Sequence, residues 1–155
     1  MESSTFTYLP LFLEGGVIKG FGRGSKDLGC PTANYPLDVV QKLPSEFKPG
    51  VYYGWAQLDC GPVYKMVANI GFCPYYQNKE MSVETHIIHK FEKDFYGSFL
   101  RIAIVGYLRS EMNFNSLDDL IETIKQDIAN ASKNLENIES QKLKNHSFFV
   151  KQNIE

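Results

Sequence analysis

The stretch VYYGWAQLDCGPVYKMVANI, residues 51–70, decides the fold because it holds two strand-length runs joined by a tight turn. Val51–Leu58 and Val63–Ile70 are rich in β-branched and aromatic residues, which favour strands. The link Asp59-Cys60-Gly61-Pro62 consists of turn formers and is short enough for a hairpin. The two strands are therefore predicted to be antiparallel neighbours.

The second of these runs also indicates that one face of the sheet meets water. Met66, Ala68 and Ile70 alternate with the polar residues Lys65 and Asn69. Alternation with a period of two is typical of a strand that buries one face only. The sheet is therefore predicted to have an apolar side and a solvated side.

Three more segments are predicted to be strands. Val83–His89 and Leu100–Leu108 are further β-branched or aromatic runs of strand length. Upstream, a short strand at Gly16–Lys19 is expected to run into an ordered loop. Glycines crowd that loop and Pro31 follows, and both residue types disfavour a helix.

One helix is predicted near the C-terminus. Ser116 precedes an apolar stripe, and Asp119 lies three residues after Ser116, which is the spacing of a capping box. Apolar residues then recur at intervals of three and four, namely Leu117, Leu120, Ile121, Ile124, Ile128, Ala131 and Leu135. This pattern predicts a helix docked on a β core. Beyond Leu135 the chain turns polar, and Phe148-Phe149-Val150 is expected to tie the tail back.

Several strands followed by one late helix favour a mainly β (α+β) fold, an antiparallel barrel or sandwich with a covering helix. The length of 155 residues suits one domain, with a core at about residues 8–135 and a tail at 136–155.

Composition narrows the possible partners and surroundings. The 43% apolar content can build a core, and the net charge of −2 gives no reason to expect nucleic acid. The three cysteines lie far apart, which predicts neither disulfides nor zinc. No apolar run approaches the ~20 residues of a membrane span, and the first residues do not resemble a signal peptide. An intracellular, cytoplasmic monomer is expected.

Two early segments contain groups that suit phosphate and metal binding. In 19–26 (KGFGRGSK) alternate glycines free backbone N–H groups for an anion, beside basic side chains. The same glycines also fit a simple hairpin turn. Thr32 and Asn34, two apart in an extended segment, point to one face and offer hard oxygen ligands of the kind that Mg²⁺ accepts. Bonds from these two side chains to the backbone of a turn are the alternative.

Two later segments contain candidate groups for catalysis and for binding a heterocycle. Glu84 lies inside an apolar strand, where a carboxylate is costly unless it has a partner or a task, such as accepting the proton of an alcohol. A structural pair with a lysine, or a wet strand face, is the alternative. His86 and His89 are expected on opposite faces. The segment 109–114 (RSEMNF) mixes polar and flat apolar groups, yet it also fits an ordinary connection.

Taken together and in this order, these segments resemble the riboflavin kinase (flavokinase) family. The resemblance rests first on Gly20-Phe21-Gly22-Arg23-Gly24-Ser25-Lys26 with Leu28-Gly29 and Pro31-Thr32-Ala33-Asn34. It continues through Gly50–Ala56, Asn69-Ile70-Gly71, Pro74-Tyr75-Tyr76, Glu84-Thr85-His86-Ile87, Asp94-Phe95-Tyr96-Gly97 and Val105–Arg109. The likeness covers about residues 8–135.

The resemblance implies a six-stranded antiparallel Greek-key barrel with a C-terminal helix covering one end. It implies transfer of the γ-phosphoryl group of ATP to the 5′-hydroxyl of riboflavin, giving FMN and ADP. Glu84 would be the catalytic base, and Thr32 and Asn34 would bind Mg²⁺, with Zn²⁺ or Mn²⁺ as substitutes.

The resemblance also implies two sets of binding residues. The ATP side would comprise Lys19, Gly20, Gly22, Arg23, Gly24, Ser25, Lys26, Thr32, Asn34, His89, Phe91 and Tyr96. The flavin side would be a loop containing Arg109, Glu111, Met112 and Phe114. The alternative function is a non-catalytic flavin-binding or nucleotide-binding barrel, which would need neither the base nor the metal pair. A barrel that binds single-stranded nucleic acid would need a basic groove.

Overall fold

The structure, a computed structural model, describes residues 7–18, 32–72, 81–89, 97–112 and 114–149. Its strands are β1 Leu11–Gly16, β2 Thr32–Asn34, β3 Gly50–Leu58, β4 Val63–Phe72, β5 Met81–Ile87 and β6 Phe99–Arg109. Its helices are α1 Leu37–Val40, α2 Leu117–Asn134 and α3 Ile138–Lys144. None of the helices described is long and apolar enough to cross a bilayer.

The six strands form one antiparallel sheet in the order β1-β6-β3-β4-β5-β2. Because β3, β4 and β5 follow one another and β6 returns beside β3, the connection is a Greek key. The sheet curls until the residues after β1 reach β2, where Ile18 and Asn34 form an isolated antiparallel bridge. The predicted mainly β fold, with six antiparallel strands in a Greek-key barrel, is confirmed.

The predicted hairpin at Asp59–Pro62 is confirmed. Gln57 pairs with Val63 at its base, and the Gly61 amide donates to the Leu58 carbonyl at 2.9 Å. Asp59 adopts a φ of 52°, a conformation that aspartate tolerates better than most residues. Its carboxylate also accepts from the Phe99 amide at 2.9 Å, so the turn is tied to β6.

The prediction for the first strand was wrong in position. β1 runs from Leu11 to Gly16, not from Gly16 to Lys19, and Lys19 lies outside the described residues. The prediction failed because glycines were taken to mark the start of the strand, whereas Gly15 lies inside β1, where α1 packs against it. A Cβ at Gly15 would lie 2.6 Å from a methyl carbon of Val39, so α1 packs directly on the strand backbone there.

The inner face of the sheet encloses the main core. It includes fully buried residues of four strands, namely Tyr52, Ala56, Met66, Ala68, Ile70, Val83, Ile87, Leu100, Ile102 and Ile104. Thr85 lies on this face as well, opposite Ala33 and Ala68. The apolar alternation predicted for Met66, Ala68 and Ile70 is therefore the inner face of β4.

The helices cover part of the outer face. Ser116 caps α2 by accepting from the Asp119 amide at 3.1 Å, as the spacing predicted. α2 packs against β4 and β6, and its Ala131 is buried with Val51 and Val67. The short α3 was not predicted. It lies on β3, where Trp55 donates to the Ser140 carbonyl at 2.9 Å.

The expectation that the tail folds back is confirmed for its described part. Phe149 is buried in a cluster with Trp55, Ala103 and Leu135. Val150, the last residue of the predicted anchor, lies outside the described residues.

Tyr35, directly after β2, ties this short strand across the interior of the barrel. Its hydroxyl donates to the Leu100 carbonyl at 2.7 Å, with the Leu13 carbonyl at 3.2 Å as a second acceptor. Burial raises the pKa of Tyr35 well above its ordinary value, so the hydroxyl keeps its proton. One side chain thereby links β2 to β1 and β6.

Replacing Tyr35 with phenylalanine removes this hydroxyl and leaves two buried carbonyls without it. The expected result for Tyr35→Phe is a loss of about 1–2 kcal/mol in the free energy of unfolding. Chemical denaturation followed by tryptophan fluorescence measures the change.

Thr85→Val is the matched control, because the Thr85 hydroxyl is fully buried and has no hydrogen-bond partner in the described structure. Its removal is expected to leave the free energy of unfolding unchanged or to raise it. Equal losses in both variants would contradict the assignment of the Tyr35 hydrogen bonds.

Candidate active site

The β2–β5 pairing brings the predicted catalytic and metal-binding residues together. Asn34 is directly opposite Glu84, and Thr32 is directly opposite His86. Directly opposed residues of an antiparallel pair point to the same face, with Cβ atoms about 4.5–5.5 Å apart. Four polar side chains therefore share one patch of the outer face, and Glu84 lies next to the Thr32–Asn34 pair.

The backbone of Asn34 is hydrogen-bonded to that of Ile18, whereas Nδ2 of its side chain has no hydrogen-bond partner among the described residues. Ile18 donates to the Asn34 carbonyl at 2.8 Å, and the Asn34 amide donates back at 3.3 Å. The side chain belongs to a residue that is 5% exposed, and its Nδ2 makes no hydrogen bond to any described residue. A buried N–H donor without a partner is costly, which indicates that Nδ2 meets an acceptor atom of a ligand.

His86 was quoted in the sequence motif without a role, but the structure places it inside the patch. It is buried, and its Nδ1 has no hydrogen-bond partner among the described residues. Burial lowers the pKa of His86, while the nearby carboxylates of Glu84 and Asp127 act to raise it. The net direction is downward, which favours a neutral imidazole.

Arg109, predicted on the flavin side, is engaged by the helix. Its Nε donates to Asp127 Oδ1 at 2.9 Å and its Nη2 to Oδ2 at 2.7 Å, and Nη1 donates to the Ser110 carbonyl at 3.0 Å. The Asp127 side chain is 8% exposed and that of Arg109 is 23% exposed. This two-pronged ion pair fastens the end of β6 to the middle of α2. The sequence did not single out Asp127.

The segment after Arg109 folds back over β4. A Cβ placed on Gly71 would lie 2.4 Å from both carboxylate oxygens of Glu111, so the Glu111 side chain lies directly over the backbone of β4 at Gly71. Partial burial raises the pKa of Glu111, and the charge of Arg109 acts against that rise. Met112 is 55% exposed and Phe114 is half-buried. The predicted flavin-side loop therefore reaches the same face as Glu84.

The nucleotide-side residues are only partly described. His89 stacks on Tyr64 with ring centroids 4.0 Å apart, beyond the end of β5. Other predicted residues lie outside the described ranges, namely Lys19, Gly20, Gly22, Arg23, Gly24, Ser25, Lys26, Phe91 and Tyr96.

The described ranges contain no group of three or more His, Cys, Asp or Glu side chains that could hold a metal ion. The candidate ligands are instead the hydroxyl of Thr32 and the carboxamide of Asn34. Neutral oxygens suit a hard cation that draws its remaining ligands from water and phosphates. The unpaired Nδ2 of Asn34 is a hydrogen-bond donor, so the ion would be held by the carboxamide oxygen while Nδ2 could donate to a phosphate oxygen.

Comparisons with known proteins agree with the resemblance seen in the sequence. The family model described as "Flavokinase: Riboflavin kinase" matches residues 7–135. The chain is 56% identical over 141 residues to riboflavin kinase of Mus musculus, covering 91% of each chain. It is 55% identical over 142 residues to the Homo sapiens protein of that name, covering 92% of each chain.

A solved structure gives the same result in three dimensions. The crystal structure of riboflavin kinase from Trypanosoma brucei superposes with a TM-score of 0.69 at 34% identity, covering 88% of this chain and 83% of that one. The chain belongs to the riboflavin kinase family.

Breaking the Arg109–Asp127 pair tests its role in holding α2 on the sheet. Asp127→Asn leaves a partly buried guanidinium with a weaker acceptor, so the free energy of unfolding is expected to fall by about 1–3 kcal/mol. Urea denaturation measures the change.

The matched control is Glu136→Gln, which removes the surface pair of Glu136 with Lys65. Because the Glu136 side chain is 64% exposed, water replaces that contact and no measurable loss is expected. If Asp127→Asn were as stable as the control, the pair would not be what docks the helix.

Proposed function

We propose that this protein transfers the γ-phosphoryl group of ATP to the 5′-hydroxyl of riboflavin, producing FMN and ADP. The observation that carries the proposal is the direct cross-strand pairing of Glu84 with Asn34. This pairing supports a base and a metal ligand that are close enough to contact the same pair of reacting groups. A non-catalytic barrel is not favoured, because binding alone would not require a carboxylate beside that ligand.

The assigned bond changes follow phosphoryl-transfer chemistry. The 5′-oxygen of riboflavin forms a bond to the γ-phosphorus while the bond from that phosphorus to the bridging oxygen of ADP breaks. The hydroxyl proton passes to the Glu84 carboxylate as the transfer proceeds. Such transition states are loose, so most of the acceleration comes from alignment and from neutralising charge.

The metal site would use the Thr32 hydroxyl and the Asn34 carboxamide oxygen. When bound there, Mg²⁺ supplies positive charge to the phosphate oxygens, with Zn²⁺ or Mn²⁺ as substitutes. Neither side chain carries a charge, which leaves the full charge of the ion for the nucleotide. The two backbone hydrogen bonds between Asn34 and Ile18 support a fixed position for this ligand.

The remaining residues would hold the two substrates on either side of Glu84. On the nucleotide side we place the segment 19–26 as a flap over the phosphates, together with His89, Phe91 and Tyr96. On the flavin side we place Arg109, Glu111, Met112 and Phe114. The fold of Glu111 over Gly71 supports a flavin-side loop close to the base.

We further propose that the chain works as a monomer of one domain in a reducing, cytoplasmic compartment. The packing of Phe149 with Trp55 supports a tail that belongs to the same domain as the barrel.

Glu84→Gln keeps the size of the side chain and removes the base. Turnover is expected to fall by about 10²–10⁴-fold, the usual contribution of a general base, while riboflavin still binds. FMN formation is measured by chromatography, and binding is measured by quenching of flavin fluorescence.

The matched control is Glu46→Gln, an exposed carboxylate in a loop, which should keep full activity. Glu84→Gln with a wild-type kcat would remove Glu84 from the role of base. A wild-type protein that forms no FMN would overturn the proposed function as a whole.

Thr32→Ala and Asn34→Ala each remove one oxygen from the proposed metal site. The Mg²⁺ concentration for half-maximal activity is expected to rise about 10-fold or more, as for a lost contact worth about 1.5–3 kcal/mol. Titration of activity against Mg²⁺ at saturating ATP measures it. Asn145→Ala removes an exposed carboxamide directly after the end of α3 and is the control. Unchanged metal dependence in both variants would contradict the assignment.

A further inference from the structure

A single row of residues crosses five strands at the level of the proposed base. Asn34 pairs with Glu84, Glu84 with Asn69, Asn69 with Val51, and Val51 with Arg109. Directly paired residues share a face, so all five side chains start from the outer face of the sheet. The row leads from the proposed metal ligand, past the base, to the end of the flavin-side strand.

Asn69 is the unexplained member of this row. It occupies an interior strand, although asparagine is disfavoured in strands. Its same-face neighbour Val67 is 6% exposed and lies under α2, and its cross-strand partner Val51 is 3% exposed, yet Asn69 itself is exposed. Its carboxamide makes no hydrogen bond within the described part of the chain. An exposed, unoccupied polar group next to Glu84 is placed to meet a ligand.

We propose that Asn69 is a substrate-binding residue that holds a hydroxyl of the ribityl chain of riboflavin, an inference that rests on the proposed function. The order of the strands supplies the reason. Asn34 lies on the β2 side of Glu84 and Asn69 on its β4 side. In an in-line transfer the attacking oxygen of the acceptor and the leaving oxygen of the donor lie on opposite sides of the γ-phosphorus. With the metal and phosphates on the β2 side, the acceptor alcohol extends over β4.

The chemistry of the carboxamide suits a polyol. Asn69 offers an N–H donor and a carbonyl acceptor, and each ribityl hydroxyl can pair with either. Its Cβ lies about 4.5–5.5 Å from that of Glu84, so the two side chains can contact different hydroxyls of one ribityl chain. Glu111 crosses the sheet at Gly71, two residues further along β4, and gives the acceptor a second polar boundary. Asn69 therefore contacts the 3′- or 4′-hydroxyl while the 5′-hydroxyl meets Glu84.

The test compares wild-type protein and Asn69→Ala with riboflavin and with its 2′-, 3′- and 4′-deoxy analogues. For wild type, loss of the contacted hydroxyl lowers kcat/KM by about 5- to 10-fold, the cost of one hydrogen bond. With riboflavin, the kcat/KM of Asn69→Ala is lower by about the same factor, because its KM for riboflavin rises. Its KM for ATP does not change. With the 3′- or 4′-deoxy analogue that the wild type disfavours, wild type and Asn69→Ala have equal kcat/KM values. Asn69→Ser, which keeps a donor and an acceptor, restores part of the discrimination.

Three outcomes overturn the inference. Asn69→Ala with unchanged kinetics on riboflavin rules out the contact. An equal loss on riboflavin and on all three analogues, seen in kcat, shows that Asn69 orients Glu84 instead. A loss confined to the 2′-deoxy comparison places the contact elsewhere. Wild-type FMN formation in the same experiment keeps these outcomes separate from failure of the proposed function, and Asn145→Ala controls for loss of a surface carboxamide.

Discussion

The antiparallel pairing of β2 with β5 is the constraint on which the site depends. β2 has only three residues, Thr32–Asn34, and two of them carry proposed metal ligands. A slip of one residue would turn both side chains into the core and leave Glu84 without them. The strand is secured on one edge by β5, on the other by the bridge between Ile18 and Asn34, and from the interior by Tyr35. The rest of the barrel therefore fixes the position of β2 and of its two proposed metal ligands.

The second anchor is the ion pair between Arg109 and Asp127, which connects the flavin-side strand to the helix. Because α2 buries Val51 and Val67 but leaves Asn69 exposed, it covers the outer face up to Asn69. His86 is close enough to Glu84 of β5 and Asp127 of α2 for both carboxylates to act on its pKa. The helix, which the sequence predicted to dock on the β core, therefore also borders the site.

Local patterns predicted the regular elements well, because alternation, turn formers and capping act over a few residues. The hairpin at Asp59–Pro62 and the Ser116 cap are of this kind. The same reasoning misplaced β1, since nothing local to Gly15 announces that Val39 of α1 will pack on it. Glu84 could be found because a carboxylate in an apolar strand is conspicuous. Its pairing with Asn34, and that of Arg109 with Asp127, depend on strand order and helix docking, and the roles of these residues still rest on the family resemblance.

The most direct measurement is a crystal structure of the protein with ADP, Mg²⁺ and riboflavin. The central claim is that donor and acceptor meet over the Asn34–Glu84 pair. It predicts the riboflavin 5′-oxygen within about 3.2 Å of a Glu84 carboxylate oxygen, the reach of a general base. It also predicts the ion on the oxygens of Thr32 and Asn34. A riboflavin 5′-oxygen bound away from Glu84, or an ion held by other residues, would contradict it.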